Sequence, residues 1–391
     1  MFNALLLSSW LLLSQTTGHS PLLLGTSIPA TTESSNHKQI DCIMQQAGQP
    51  YQLLSMPWRR AKQEVKMGRI DGYFTAFPNE DMQRYAQLSA PLFLENWYWF
   101  WHQRHTGPRS QTKIRYGAIL GSHQADWFNA NDYKPELEVG DIAQLVQLLA
   151  IGRVDVILAD LDDFNHAVQR LKLPPAQYRQ AFLRYVPLGV YFSSARLQQQ
   201  PDFMPRFNAA VHLCASAPFA LAEQEQQFIA AQLLDSSREL ARDSKLIAAV
   251  QQQNRQQLAL RDIMQRDAEW QQQVQQVATA AAPPQLTSVA AELLRNWQAN
   301  NPGLITEVIL MDNQGVNVAI SDMTTDYWQG DETPFLGIFE QQHDYFIDVV
   351  EYDQSTQRFQ VKLSVPLLND EGRHIGALSI GIDVERALTQ D

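Results

Sequence analysis

Apolar and polar positions along this chain alternate between helical and strand spacing in short blocks. The stretch from Pro57 to Pro91 sets the pattern. Ala61, Val65 and Met67 fall near one face of a helix, Gly68 suits a left-handed helix stop, and the apolar run Ile70–Phe74 reads as a buried strand. Thr75, Pro78 and Asn79 are loop formers, and Arg84 follows them, so a cation is delivered beyond the end of a strand. Upstream, Pro21–Ser27 predicts a first strand, Ile28–Asn36 a polar loop, His37–Gln46 a helix stopped by Gly48, Tyr51–Met56 a second strand and Trp58–Met67 a second helix. Strands alternating with helices at this interval predict α/β units on a mainly parallel sheet.

The same grammar returns further on. Glu95–His102 is a strand in which Trp97, Trp99 and Trp101 share a face, a pattern that favours packing over contact with a ligand. Tyr116–Ser122 predicts a strand ending just before a helical stretch, Gln124–Asn129, whose start aims free N–H groups outward. Ser122 there is either an anion-binding residue or an ordinary cap. After the helix Ile142–Ile151, the run Gly152-Arg153-Val154-Asp155 echoes Gly68-Arg69-Ile70-Asp71, and the strand behind it ends in Asp160. Asp162 and Asp163 read as a solvated loop. Pro187–Ser193 predicts a returning strand and Phe207–Cys214 the start of closing helices.

From Ser236 to Ala282 there is no Gly or Pro. Leu233, Leu240 and Ile247 keep a seven-residue step, as do Ile263, Trp270 and Val277, which predicts one or two long helices stopped by Pro283-Pro284. Ser288–Asn300 reads as a short helix. Ile305–Asp312 and Val316–Ile320 form a hairpin, and Tyr345–Tyr352, Arg358–Pro366 and Ile375–Ile382 complete an antiparallel sheet, with turns at Asp353–Thr356 and Asn369–Gly372.

Composition narrows the function. The 391 residues are 45% apolar, with net charge −12 and a pI near 5.2, long enough for two or three cores and opposed to polyanion binding. Ala4–Ser14 is apolar for too short a distance to span a bilayer, and residues 1–20 read as a secretory signal, with a buried helix as the alternative. The two cysteines, Cys42 and Cys214, permit one disulfide in an exported chain, or are two buried thiols. Nucleophile elbows, P-loops, His-Glu-x-x-His and metal-ligand spacings are absent from the sequence, so neither a metal nor a cofactor is expected.

Gly68, Asp71, Gly72, Arg84, Ser89 and Pro91 together resemble the first lobe of the type 3 family of bacterial extracellular solute-binding proteins. The resemblance implies a two-lobed periplasmic-binding fold over residues 21–235, with lobe 2 at about 104–186, entered along the tryptophan strand. It implies a small ligand held between the lobes by closure. Arg84 would clamp its carboxylate and Asp160 its ammonium, with Ser122, Thr75 and Trp58 contributing. It also brings the closing helices near the first helix, which pairs Cys42 with Cys214.

The C-terminal pattern resembles a single Cache (PDC) sensor domain, which is PAS-like. Its marks are Asp312-x-x-Gly315, the segment Asp326-Tyr327-Trp328-Gln329-Gly330-Asp331-Glu332, and Pro366, Gly372 and Ile375-Gly376-Ala377-Leu378. This implies a helical connector at 236–284 and an α+β sensor-like domain at 285–391, with Tyr327, Trp328, Asp331 and Glu332 as candidate pocket residues. Since the chain stops at Asp391, a signal is expected to pass through another protein. The expected function is a non-catalytic periplasmic binding protein for an amino-acid-like ligand, another small zwitterion or a carboxylate. It would be a sensory accessory to a membrane-bound partner. The alternatives are a transport receptor, a dehydratase-like enzyme on the same fold, and a scaffold with a vestigial cleft.

Overall fold

The computed structural model describes residues 20–27, 35–108, 113–214, 219–275, 282–353 and 358–389. The expected signal segment, apart from Ser20, most of the 28–36 loop, Val277 and the 354–356 part of one turn lie outside these residues. Strand β1 (Leu22–Thr26), helix α1 (Ser35–Gln46), strand β2 (Tyr51–Ser55), helix α2 (Trp58–Lys66) and strand β3 (Gly72–Ala76) follow the expected order. The short β4 (Ala86–Leu88) and the long β5 (Phe93–His102) come next. Then follow β6 (Tyr116–Ile119), α3 (His123–Ala130), β7 (Pro135–Val139), α4 (Ile142–Ala150), β8 (Val156–Asp160), α5 (Leu161–Arg170), β9 (Tyr178–Ser193), α6 (Ser194–Gln199) and α7 (Phe203–Cys214).

Two compact units emerge: Met1–Phe93 with Pro187–Ser216, and Leu94–Val186 with Ala217–Asp391. In the first, β1 lies between β2 and β3, parallel to both, and β3 pairs antiparallel with β9, which also carries β4. In the second, β6 lies between β7 and β8, again parallel to both, and β8 pairs antiparallel with β5. The same strand order is thus built twice, and it is the α/β order of a two-lobed periplasmic-binding fold. Gly68 and Gly152 close α2 and α4 at φ of +67° and +71°, where a side chain is strained although each has open space around it. Gly72 meets a different constraint: a Cβ there would lie 2.4 Å from the Tyr191 carbonyl oxygen, so glycine lets β9 approach.

The cysteine pairing is present: Cys42 and Cys214 form a disulfide with Cα atoms 5.9 Å apart, joining α1 to α7 within the first unit.

The remainder of the second unit begins with three helices where one or two were expected: α8 (Glu223–Ala241), α9 (Ser244–Asn254) and α10 (Leu260–Gln275). Asp243 makes the first break by accepting the Lys245 N–H as an N-cap. Then come α11 (Pro284–Thr287), α12 (Val289–Ala299), β10 (Ile305–Asp312), β11 (Asn317–Ile320), α13 (Thr333–Phe339), β12 (Phe346–Ile347), β13 (Glu351–Asp353), β14 (Arg358–Leu368), β15 (His374–Asp383) and α14 (Val384–Leu388). The antiparallel order is β11-β10-β15-β14-β12, with β13 also on β14. On β14, Phe359, Val361, Leu363, Val365 and Leu367 are buried against α8 and α9, as the alternation predicts. Ile309, Met311 and Ala377 pack with Ile263 and Trp270 of α10 and with Phe335 and Ile338 of α13. The sheet therefore has helices on both faces. One apolar core runs from Phe100, Leu145 and Phe164 through Tyr98 and Tyr185 to Ile229, Leu363 and Leu388. The sequence boundaries at 235 and 284 do not mark this unit: 235 falls inside α8, and residues 94–186 share a core with the chain beyond 217.

Candidate functional site

The repeated Gly-Arg-x-Asp turn has a definite local task. In the first unit Leu23 N donates to Asp71 Oδ2 at 2.8 Å, and Asp71 N returns a bond to the Leu23 carbonyl at 2.9 Å. In the second unit Arg115 N donates to Asp155 Oδ2 at 2.9 Å, and Asp155 N to the Arg115 carbonyl at 2.8 Å. The Arg115 guanidinium adds bonds of 3.0 and 2.5 Å to the same carboxylate. Each aspartate clamps the loop before its strand to the opening strand of its half.

The strand order decides where a ligand is expected. From β6 the chain moves to β7 on one side and to β8 on the other, so β6 and β8 flank a topological switch point, the place where open α/β sheets bind ligands beyond their carboxyl ends. Ser122 follows β6 and Asp160 ends β8. Ser122, 2% exposed, accepts from Ala125 N at 3.1 Å and caps α3. Asp160 caps α5: Oδ1 accepts from Asp162 N at 3.0 Å and Asp163 N at 3.3 Å, and Oδ2 from Asn96 N at 3.1 Å. Three of the roughly four acceptor positions of its carboxylate are therefore used, leaving one for a further donor. Burial pushes the Asp160 carboxyl well above the usual range, and Glu95 and Asp163 push it further.

Asp162 and Asp163 lie in the first turn of α5, not in a solvated loop. Apolar residues at Leu161, Phe164, Ala167 and Val168 bury one face of this helix, and the cap at Asp160 fixes its start.

Beside Asp160 is a residue that the motifs did not single out. Half-buried Glu95 accepts from Trp97 Nε1 at 2.7 Å and Gln124 Nε2 at 3.4 Å. Burial raises its carboxyl to about 7, with repulsion from Asp163 adding to the effect. The signal was present in the strand pattern: Glu95 stands in step with Trp97, Trp99 and Trp101, a charge in line with buried tryptophans. Trp97 and Trp99 are buried at 0% and 6% exposure and Trp101 is half-buried. Trp99 packs against Phe128, Tyr133 and Trp127, so this face is mainly core.

In the first unit, Thr75 is buried near the carboxyl end of β3, Trp58 is half-buried in the first turn of α2, and Arg84 is exposed at the end of the 3-10 turn Met82–Arg84. Thr75 adjoins this half's own switch point, between β1 and β3.

The candidate sensor residues are tied into packing. Tyr327 N and Trp328 N both donate to Asp267 Oδ1 of α10, at 2.8 and 3.1 Å, and the Tyr327 ring packs at a tilt against Trp270, 5.8 Å between ring centres. Trp328 Nε1 donates to the Gln314 carbonyl at 2.7 Å. Asp331 is exposed, and Glu332 bonds Lys362 at 3.2 Å. Among the described residues no three His, Cys, Asp or Glu side chains are grouped to hold a metal ion.

Comparison with known proteins adds fold likeness. No protein-family model matches the chain, and no curated protein sequence matches it. Among solved structures, a histidine kinase sensor domain with similarity to periplasmic binding proteins is 14% identical, covering 50% of this chain and 90% of its own, with a TM-score of 0.42. A substrate-binding protein of an ABC uptake transporter from Streptococcus pneumoniae, with bound histidine, is 15% identical over 51% of this chain and 89% of its own, TM-score 0.42. An ancestral arginine-binding protein bound to arginine is 18% identical over 50% and 92%, TM-score 0.40.

Proposed function

We propose that this chain is a periplasmic binding protein for a small amino-acid-like solute, acting as a sensory accessory to a membrane-bound partner. The observation that carries the reading is the pair of capped helix starts, Ser122 and Asp160, at the switch point between β6 and β8. Each sets a polar side chain at a strand end, a hydroxyl at Ser122 and a carboxylate at Asp160, which is chemistry suited to a zwitterion's charged groups. Asp160 takes the ligand's ammonium with its remaining acceptor position, and Arg84 takes its carboxylate with the planar fork of the guanidinium. Thr75 and Trp58 contribute side contacts. The Cys42–Cys214 bond suits an oxidising compartment, and among the described residues no helix is long and apolar enough to cross a membrane. The sensory role draws on the helix-covered antiparallel sheet of the second unit, which a transport receptor has no evident need for.

A thermal-shift screen of the exported protein against amino acids, polyamines and carboxylates tests this, since a ligand that binds only the folded state raises Tm. A concentration-dependent rise with an amino-acid-like compound is expected. A flat response across all three classes rejects the reading.

A further inference from the structure

Helix α8 carries Glu225 in its first turn. The residue is 1% exposed, and its carboxylate collects four hydrogen bonds. Oε1 accepts from Asn96 Nδ2 at 3.1 Å and from the Tyr98 hydroxyl at 2.9 Å, while Oε2 accepts from Ala222 N at 3.0 Å and from the Tyr185 hydroxyl at 2.9 Å. Asn96 and Tyr98 belong to β5 and Tyr185 to β9, the strands by which the chain enters and leaves the 94–186 segment. A buried carboxylate is tolerable only when paired. Parting α8 from these strands would therefore strip three donors from one buried charge.

Tyr185 engages the C-terminal segment in three ways. Its hydroxyl reaches Glu225, its backbone N–H donates to Glu385 Oε1 of α14 at 2.8 Å, and its ring lies 5.6 Å from that of Phe359 on β14. Asn96 extends the chain of contacts to Asp160. Its N–H holds Asp160 Oδ2, its amide oxygen accepts from Leu161 N at 3.3 Å, and its amide nitrogen donates to Glu225.

We infer that Glu225 and Tyr185 latch the 94–186 segment to the C-terminal helices and sheet, so that the two open and move as one cooperative body. Asn96 is the positioning residue that connects Asp160 to the latch. The part of this that concerns ligand signalling rests on the binding function proposed above: displacement of the Asp160 segment by a ligand is carried into α8 and α14. The latch itself stands without a ligand.

Native-state hydrogen exchange of the full chain over a urea series, read by mass spectrometry, decides the question. In the parent protein, peptides from 94–186 and from 219–389 lose protection at the same urea concentration. In Glu225→Ala they separate by at least about 0.5 M urea, and the double variant Tyr98→Phe/Tyr185→Phe, which keeps the rings, separates them by less. A merely destabilising substitution lowers both sets together. Separate transitions in the parent, or a common one that persists in both variants, overturns the latch. If Glu225→Ala fails to fold, the double phenylalanine variant decides alone. With a ligand from the screen, α8 and α14 peptides gain protection in the parent but not in Glu225→Ala, at an affinity within about threefold of the parent. A screen without a hit rejects the binding function and leaves the urea result standing.

Discussion

Glu95 and Trp97 stand two residues apart on one face of β5, and the indole N–H of Trp97 donates to the Glu95 carboxylate at 2.7 Å. That bond favours the ionised acid, yet burial outweighs it and raises the carboxyl from 4.5 to about 7. Between these values the folded chain keeps a proton that the unfolded chain has released. The stabilising contribution of this group is thus complete below about pH 4.5 and lost as pH rises through about 7. Glu95→Gln should flatten the dependence of Tm on pH across that window and raise Tm relative to the parent at pH above it. Melting curves over a pH series check this; identical slopes in parent and variant contradict it.

Arg84 and Asp160 should separate affinity from stability. Arg84 is exposed, so Arg84→Ala should leave the melting temperature of the unliganded protein unchanged. Asp160→Ala would remove a helix cap and cost about 1 kcal/mol, so Asp160→Asn is the milder variant: it retains the oxygen that caps α5 and removes the charge, at the cost of the bond from Asn96 N. Each of Arg84→Ala and Asp160→Asn should weaken binding of a screened ligand by at least tenfold, or ~1.4 kcal/mol. Calorimetric titration measures it, and parental affinity in both variants removes these two residues from the site.

The clamp aspartates should behave in the opposite way. Asp155 is held below its usual range chiefly by hydrogen bonds from Arg115. Its contribution is present above the ordinary carboxylate value and lost as pH falls through the depressed one. Asp155→Ala and Asp71→Ala should each cost about 1–3 kcal/mol in urea unfolding by stranding a backbone N–H. Ligand affinity should stay within about twofold. Asp155→Asn should also weaken the loss of stability below about pH 4. A selective loss of affinity would instead make the turn part of the site.

Peptide mapping without reductant should recover a peptide pair containing Cys42 and Cys214. Replacing both by alanine should lower stability by about 5 kcal/mol in the chain-entropy description, because the closed loop is long. Equal stability of oxidised protein and double variant would place the effect elsewhere.

Much of the α/β portion was legible because Gly68 and Gly152 stop helices just before apolar runs, and that pairing carries the duplicated topology. Strand β7 was not legible. It begins at Pro135, and Glu136, Leu137 and Glu138 are exposed along it, so it lacks the alternation that marks a half-buried strand. Helix α5 was hidden by Asp160, Asp162 and Asp163, whose charges read as loop although a capping aspartate followed by acids is a helix start. At the candidate site, Ser122 and Asp160 were readable as residues at strand ends. Asn96 and Glu225 were not, because a bond between β5 and α8 joins positions far apart in sequence and leaves no local period. The C-terminal hairpin and the long strands β14 and β15 were plain from alternation, whereas the Tyr345–Tyr352 strand is split into β12 and β13.

The bond between Cys42 and Cys214 turns the chain between them into a covalent ring, and the whole of 94–186 is threaded on that ring as an insertion. A single backbone cut anywhere along the insertion opens the ring without releasing a fragment. Protein nicked once within 94–186 will therefore run as a single band on a denaturing non-reducing gel and divide into two pieces only after reduction.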